Sequence, residues 1–227
     1  MYRYETHLHT FPVSKCAKAD VENNLLFYKA QGYSGVFVTD HFLNGNINVS
    51  IKEDYEKRLD FYYSSYEQAK LIGKEIGIDV FSGVELSYLG TDFLVYGLNK
   101  TWFLENPQWE QMPISELLLF IKNSGALVIQ AHPFRLAGYI DHIRLFPHCI
   151  HGVESLNACR DGFTNEMGAL FAEKYDLLEI AGTDNHIGDK QKRLAGMEFA
   201  TPLKDEKDFV RRILAREGRQ FYMDLGD

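Results

Sequence analysis

The sequence predicts an α/β fold with a mainly parallel sheet. Two observations carry the prediction. Short β-rich runs alternate with amphipathic helical stretches along the chain, and nearly every run ends in a side chain able to bind metal. With about seven strand candidates in 227 residues, a closed or distorted barrel is the simplest architecture, and a doubly wound open sheet is the alternative. No repeat, low-complexity tract or linker divides the chain, so residues 1–227 are expected to form one domain.

The elements follow in order. Strands are expected at 2–9, 35–40, 79–86, 126–132, 151–157 and 177–183, with a weaker pair at 91–98 and 219–223. Helices are expected at 20–31, 51–73, 114–123, 164–175 and 205–217. Asp20 and Ser50 are the expected N-caps of the first two helices. Gly32, Gly125 and Gly218 stand where three helices should stop.

Composition narrows the function. Lys and Arg number 24 against 32 Asp and Glu, so the net charge is −8, with eight histidines left out. That balance argues against a protein built to track nucleic-acid backbones. It leaves a small anionic substrate open, because bound cations reverse the local field. Hydrophobic residues make up 45% and charged residues 25%, the profile of a globular chain and not of a disordered one. No apolar run approaches the roughly 20 residues that span a bilayer, so no membrane role is expected. The first residues lack a signal-like apolar stretch, and Cys16, Cys149 and Cys159 are too few and too odd in number for a disulfide framework. A cytoplasmic location is the expectation.

The strand ends are the informative feature. His7-Leu8-His9 closes the first run, Asp40-His41 the second, Glu85 the third, His132-Pro133 the fourth, Asn157 the fifth, and Thr183-Asp184-Asn185-His186 the last. Parallel strands finish on one face, so these residues should converge there. Each piece alone has an ordinary reading as a cap, a turn or a solvated terminus, but all of those readings would have to hold together on one sheet edge. Imidazoles and carboxylates without a thiolate set suit Zn, Mn or Fe. Paired ions of this kind clamp both oxygens of an in-line phosphoryl displacement.

Five motifs in order, His7-Leu8-His9, Thr39-Asp40-His41, Gly83-Val84-Glu85, Ala131-His132-Pro133 and Gly182-Thr183-Asp184-Asn185-His186, resemble those of the PHP (polymerase and histidinol phosphatase) superfamily. The resemblance covers residues 1 to about 190, with a helix and a strand at 203–224 completing the fold. It implies a distorted (β/α)₇ TIM-like barrel of PHP type that hydrolyses phosphoesters with two or three divalent ions (Zn, Mn or Fe). A bridging hydroxide would attack phosphorus, and Asp184, His186, Glu85 and Asp40 would be the catalytic residues. His7, His9, Glu85 and Asp184 would hold the first ion, and His41 and His186 the second. Glu85 would bridge toward a third near His132. Glu5 would orient an imidazole from behind.

The sequence departs from the family pattern in two places. In the 10–18 loop Cys16 stands as a possible ligand, with Ser14 or Lys18 as possible phosphate contacts. The further ligand expected before the last motif has candidates in His151, Glu154, Asn157 and Cys159, with Glu154 or Asn157 best placed. Arg135 and Arg160 are candidates to grip phosphate bidentately. His142, His148 and His151 are expected to face solvent, and Tyr88 and Trp102 are candidate pocket residues. The expected activity is hydrolysis of a small phosphomonoester. Histidinol-phosphate phosphatase, a nuclease, a hydrolase of another bond and a non-catalytic metal-binding module are the alternatives.

Overall fold

The alternation read from the sequence is realised with two additions. The computed structural model describes residues 1–226. In chain order the elements are β1 (Tyr2–Leu8), α1 (Val21–Ala30), β2 (Gly35–Val38), α2 (Tyr55–Ile76), β3 (Asp79–Tyr88), β4 (Thr91–Tyr96), α3 (Lys100–Glu105), α4 (Ile114–Asn123), β5 (Leu127–Ala131), β6 (Gly152–Asn157), α5 (Gly162–Tyr175), β7 (Leu178–Gly182), β8 (Arg193–Phe199), α6 (Glu206–Leu214) and β9 (Arg219–Asp224). The strands form one sheet in the order β7-β6-β5-β4-β3-β2-β1-β8-β9.

Two strands run against the others. β4 pairs antiparallel with both β3 and β5, and β8 pairs antiparallel with both β1 and β9. The strand–helix alternation of the expected distorted barrel is interrupted by a β3–β4 hairpin, formed with the run expected at 91–98. Glu85 lies within β3, three residues before its end, and not at a strand terminus. β8 was not foreseen. Its centre is Gly196, where an added Cβ would lie 2.2 Å from Tyr4 O, so the strand is tolerated only because nothing projects there.

The sheet curls until its ends meet. Thr6 Oγ1 donates to Ala181 O (2.6 Å), Asp184 N to His7 O (2.9 Å) and Gln220 Nε2 to Ile180 O (2.9 Å), which ties β7 to β1 and β9. The result is a nearly closed, TIM-like barrel whose sheet edges are covered instead of exposed. One end of its interior is an aromatic plug. Phe209 of α6 lies 4.5 Å from Phe37 and 5.0 Å from Tyr96, ring to ring, and the Tyr96 hydroxyl donates to Thr6 O (2.8 Å). With that end filled, polar groups are left to the other.

Local caps explain where helices begin. Asp20 caps α1 by accepting from Asn23 N. α2 starts at Tyr55 and not at Ile51, because Asp54 accepts from Glu56 N and Lys57 N while Ser50–Glu53 closes a separate turn. It runs past Gly73 to Ile76 and stops at Gly77, φ 73°. Among the described residues, no helix is long and apolar enough to cross a membrane.

Candidate metal centre

Two histidines on one strand face begin the site. His7 and His9 lie two residues apart at the end of β1, so both rings point the same way. His7 Nε2 is 3.1 Å from His9 Nε2 and 3.1 Å from Glu85 Oε1, and His9 Nε2 is 3.3 Å from Asp184 Oδ1. All four side chains are buried.

The opposite ring nitrogens show which atoms are left to ligate. Ser14 Oγ donates its single proton to Asp40 Oδ1 (2.7 Å) and accepts from His41 N (3.0 Å), so its 3.1 Å contact with His9 Nδ1 must be accepted from the ring. Glu154 Oε1 likewise lies 2.9 Å from His7 Nδ1 and accepts its proton. With both Nδ1 atoms donating, the two Nε2 atoms are the ring positions left to ligate, facing each other and two carboxylates; without an ion, a proton on His7 Nε2 is held by Glu85. Donor atoms about 2.1 Å from a common cation lie roughly 3.0–3.4 Å from one another, which is the spacing here. The residues fit a divalent ion.

Two further groups share members with this one. His9, His41 and His186 can offer one nitrogen each within 4.8 Å of one another, and so can donor atoms of His7, Glu85 and His132. Cys16 joins the first of these, with Sγ 3.2 Å from His41 Nε2. His41 Nδ1 lies 2.7 Å from Glu85 Oε2, yet neither atom makes a hydrogen bond and both are buried. Such a contact without donor geometry is what two ligands of nearby ions look like. His132 Nε2 sits 3.7 Å from Glu85, 3.8 Å from Asp184 and 4.0 Å from Asp92. Asp92, buried on β4, is a residue the sequence reading missed, because the hairpin that brings it beside His132 carries no motif.

Backbone strain concentrates at these positions. His132 (φ 28°) and Asp184 (φ 61°) both occupy the left-handed region, which side chains other than glycine seldom enter. Gly182 is required just before: a Cβ there would lie 2.6 Å from His7 Cβ and 2.7 Å from Glu154 Oε1.

Several expected roles change. Asp40 is not a catalytic group. It is sealed from the cavity, accepts from Thr10 N (2.6 Å), Thr10 Oγ1 (2.5 Å) and Ser14 Oγ, and so pins the 10–14 loop. Glu5 does not orient an imidazole; its Oε1 accepts from His7 N and Thr183 N (2.8 Å each) and joins the backbones of β1 and the β7 end. The imidazole-orienting carboxylate is Glu154, whose other oxygen accepts from His132 N (3.2 Å) and Asn157 Nδ2 (2.8 Å). Both oxygens of Glu154 are thus engaged behind the ligands, and Asn157, whose Oδ1 accepts from Cys159 N, holds Glu154 in place. Neither is placed as a ligand. Lys18 is exposed and lines no part of the cavity; its amide donates to His186 O (2.7 Å). His151 is half-buried, and its Nδ1 accepts from Val128 N (3.1 Å). Tyr88 and Trp102 pack against the apolar core and lie outside the cavity wall.

A cavity of about 600 Å³ opens over the cluster, lined by Cys16, His41, Glu85, His132, Asp184 and His186. Arg135 and Arg160 stand on its walls. Arg160 Nη2 donates to Asp184 Oδ2 (2.6 Å), and Arg135 Nη2 lies 3.1 Å from Asp92 Oδ2.

The electrostatics follow from crowding. Burial alone would raise the Glu85 pKa, but the imidazoles of His41, His7 and His9 hold it well below the usual range. Asp184 is held low in the same way, chiefly by His7 and its contact with His9. Burial would lower His7; Glu154, Asp184 and Glu85 push it well above the ordinary value. Burial and the neighbouring rings of His186 and His41 keep His9 neutral, the form that ligates. Burial opposes the Cys16 thiolate, yet contacts from His186 and His41 bring its pKa down to about 6. Burial drives Glu5 up to about 7 and Asp40 up to about 6.

No protein-family model matches the sequence, and no curated protein is detectably similar to it. The fold, by contrast, has solved relatives. A two-domain protein from Bacteroides vulgatus, containing a predicted PHP-like metal-dependent phosphoesterase, superposes with a TM-score of 0.69 at 14% identity, over 97% of this chain and 64% of that one. The present chain thus spans about two thirds of the length of that protein. A metal-dependent phosphoesterase candidate from Bifidobacterium adolescentis gives a TM-score of 0.57 at 14% identity, covering 94% and 96% of the two chains. An amidohydrolase from Chromobacterium violaceum, with bound sulfate and no metal, gives 0.56 at 13%, covering 99% and 98%. The fold is that of the PHP-like metal-dependent phosphoesterases.

Proposed function

We propose that this chain is a metal-dependent hydrolase of small phosphomonoesters. The observation that carries the reading is the convergence of the Nε2 atoms of His7 and His9, 3.1 Å apart, with the carboxylates of Glu85 and Asp184. A divalent cation would satisfy all four groups at once. Two or three ions (Zn, Mn or Fe) bound here would polarise a phosphoryl oxygen and supply a nucleophile from water near neutral pH.

The chain's own residues do the rest. His7, His9, Glu85 and Asp184 would hold one ion. His41 and His186 would hold a second, with Cys16 as a further donor, and Glu85 and His132 would serve a third near Asp92. Glu154 and Ser14 keep the protons of His7 and His9 on Nδ1, so that Nε2 stays free to ligate. Arg135 and Arg160 take phosphoryl oxygens from the cavity walls, their planar forks matching phosphate. With ions bound, an anionic substrate would be attracted despite the net charge of −8. Nucleic acid is not the expected substrate, and degradation of single-stranded DNA would reverse that assignment.

The test is turnover of a generic aryl phosphate by purified protein with added Mn²⁺, repeated after chelation. Metal-dependent release of phosphate supports the reading. Protein without bound metal and without metal-dependent turnover overturns it. The Chromobacterium neighbour favours one second reading, hydrolysis at an amide carbon. A panel of simple amides under the same conditions separates the two.

A further inference from the structure

One wall of the cavity is built from the β3–β4 turn and the long loop after β5, and its side chains are unlike the rest. The turn has two residues, Leu89 and Gly90, because Tyr88 pairs with Thr91 across it. Both have positive φ, 50° and 82°, a pattern whose first position usually takes Asn, Asp or Gly. A leucine is unfavourable there twice over. Its side chain strains the left-handed backbone, and it is 64% exposed. Asn or Gly would form the same turn with less strain and better hydration, so folding gives no reason for it. Strain kept beside a ligand cavity points instead to use.

Tyr139 stands on the same wall, 71% exposed, with the Arg135 guanidinium 5.7 Å from its ring centre. The wall is braced. Arg135 Nη2 donates to Gly90 O (3.3 Å) and Arg144 Nη1 to Leu89 O (3.0 Å). Ile140 lies so close that a Cβ on Gly90 would come within 2.8 Å of it. Two large apolar side chains are thus held toward water on a fixed scaffold, in a cavity whose floor is Glu85, His132 and Asp184. The same cavity therefore joins the donor cluster to this apolar wall.

We propose that Leu89 and Tyr139 form an apolar grip for the substrate's ester substituent, and that the substrate is a phosphomonoester of an alcohol bearing a flat aromatic group. The inference rests on the phosphoester reading above and adds the class of leaving group. Aromatic rings stack on tyrosine and bury area against leucine, whereas a small polyol gains nothing from either.

Non-hydrolysable phosphonates test the grip without leaving-group chemistry. Calorimetry on the metal-loaded protein should show phenylphosphonate binding about tenfold or more tighter than methylphosphonate. Tyr139→Ala should lower the ratio of phenylphosphonate to methylphosphonate affinity several-fold. Leu89→Asn should weaken phenylphosphonate several-fold while raising Tm, since it relieves the turn. Equal binding of the two phosphonates by the wild type overturns the grip alone, as does a lowered Tm in Leu89→Asn. Failure of both phosphonates to bind metal-loaded protein overturns the phosphoester reading together with it.

Discussion

The inner and outer parts of the donor cluster are built differently. At the inner position, His7, His9, Glu85 and Asp184 are almost wholly buried, and both imidazoles are backed by a second residue, Glu154 or Ser14. At the outer position, His41 and His186 are partly open to the cavity and Cys16 rides on the 10–18 loop. Only His186 has a firm backing there, through Nδ1 to Asp184 O (2.9 Å). Preorganised, dry donors favour an ion that stays, and exposed ones favour an ion that meets substrate.

That contrast can be broken. Asp184→Asn is expected to lower turnover by at least ~10³-fold and to reduce the metal found per chain, exceeding the 10–100-fold typical of losing an outer partner. Full turnover in this variant would place the chemistry elsewhere. Glu154→Gln should weaken the tightest metal site by roughly 10–100-fold in a competitive chelator titration, and should leave the outer site unchanged. Equal weakening of both would erase the distinction.

Chelation should lower stability measurably. An ion held at a hundredfold excess over its Kd contributes about 2.7 kcal/mol, so removal should lower Tm by roughly 5–10 °C in a chain of this size. The pH response sharpens the point. Glu5 and Asp40 have folded pKa values raised to about 7 and about 6, so between pH 4 and 7 the folded state binds more protons than the unfolded one. Metal-free protein should therefore lose stability as pH rises through that window. His7 and His41, also raised, extend the loss above it, and His9, lowered, opposes it. Metal-loaded protein should show the opposite slope, because ligation releases protons. Denaturant titrations at several pH values, with and without chelator, check both signs.

The smallest effect is expected at Cys16. Co²⁺-loaded wild type should show a near-ultraviolet thiolate-to-metal band that Cys16→Ser lacks, with turnover changed only several-fold. An identical spectrum in the variant would remove Cys16 from the outer position.

Much of this was legible in the chain. His7-Leu8-His9 read as a same-face pair because strand periodicity alone dictates it, and Asp184 and His186 stood after a β-rich run bounded by Gly182. The helix at 114–123 and the cap at Asp20 follow from local signals. What escaped was non-local. Asp40 reads as a catalytic group and Glu5 as an imidazole's partner in sequence, since a carboxylate near a histidine carries the same letters whether it faces the cavity or a backbone amide. Glu154 stood beside Asn157 as a candidate for the further ligand, because its position before the last motif does not show whether it faces an ion or backs a ring. Asp92 and β8 carry no motif, and the hairpin turn at Leu89-Gly90 lacks the asparagine that would have announced it.

By itself, then, the sequence determined which residues end the strands and hence which donors reach one face, because alternation and strand direction are properties of a few consecutive residues. Only the tertiary structure decided which of those carboxylates touch an imidazole and which are spent on amides. That choice depends on distances between segments up to 178 residues apart, such as Glu5 and Thr183, which are fixed by closure of the sheet.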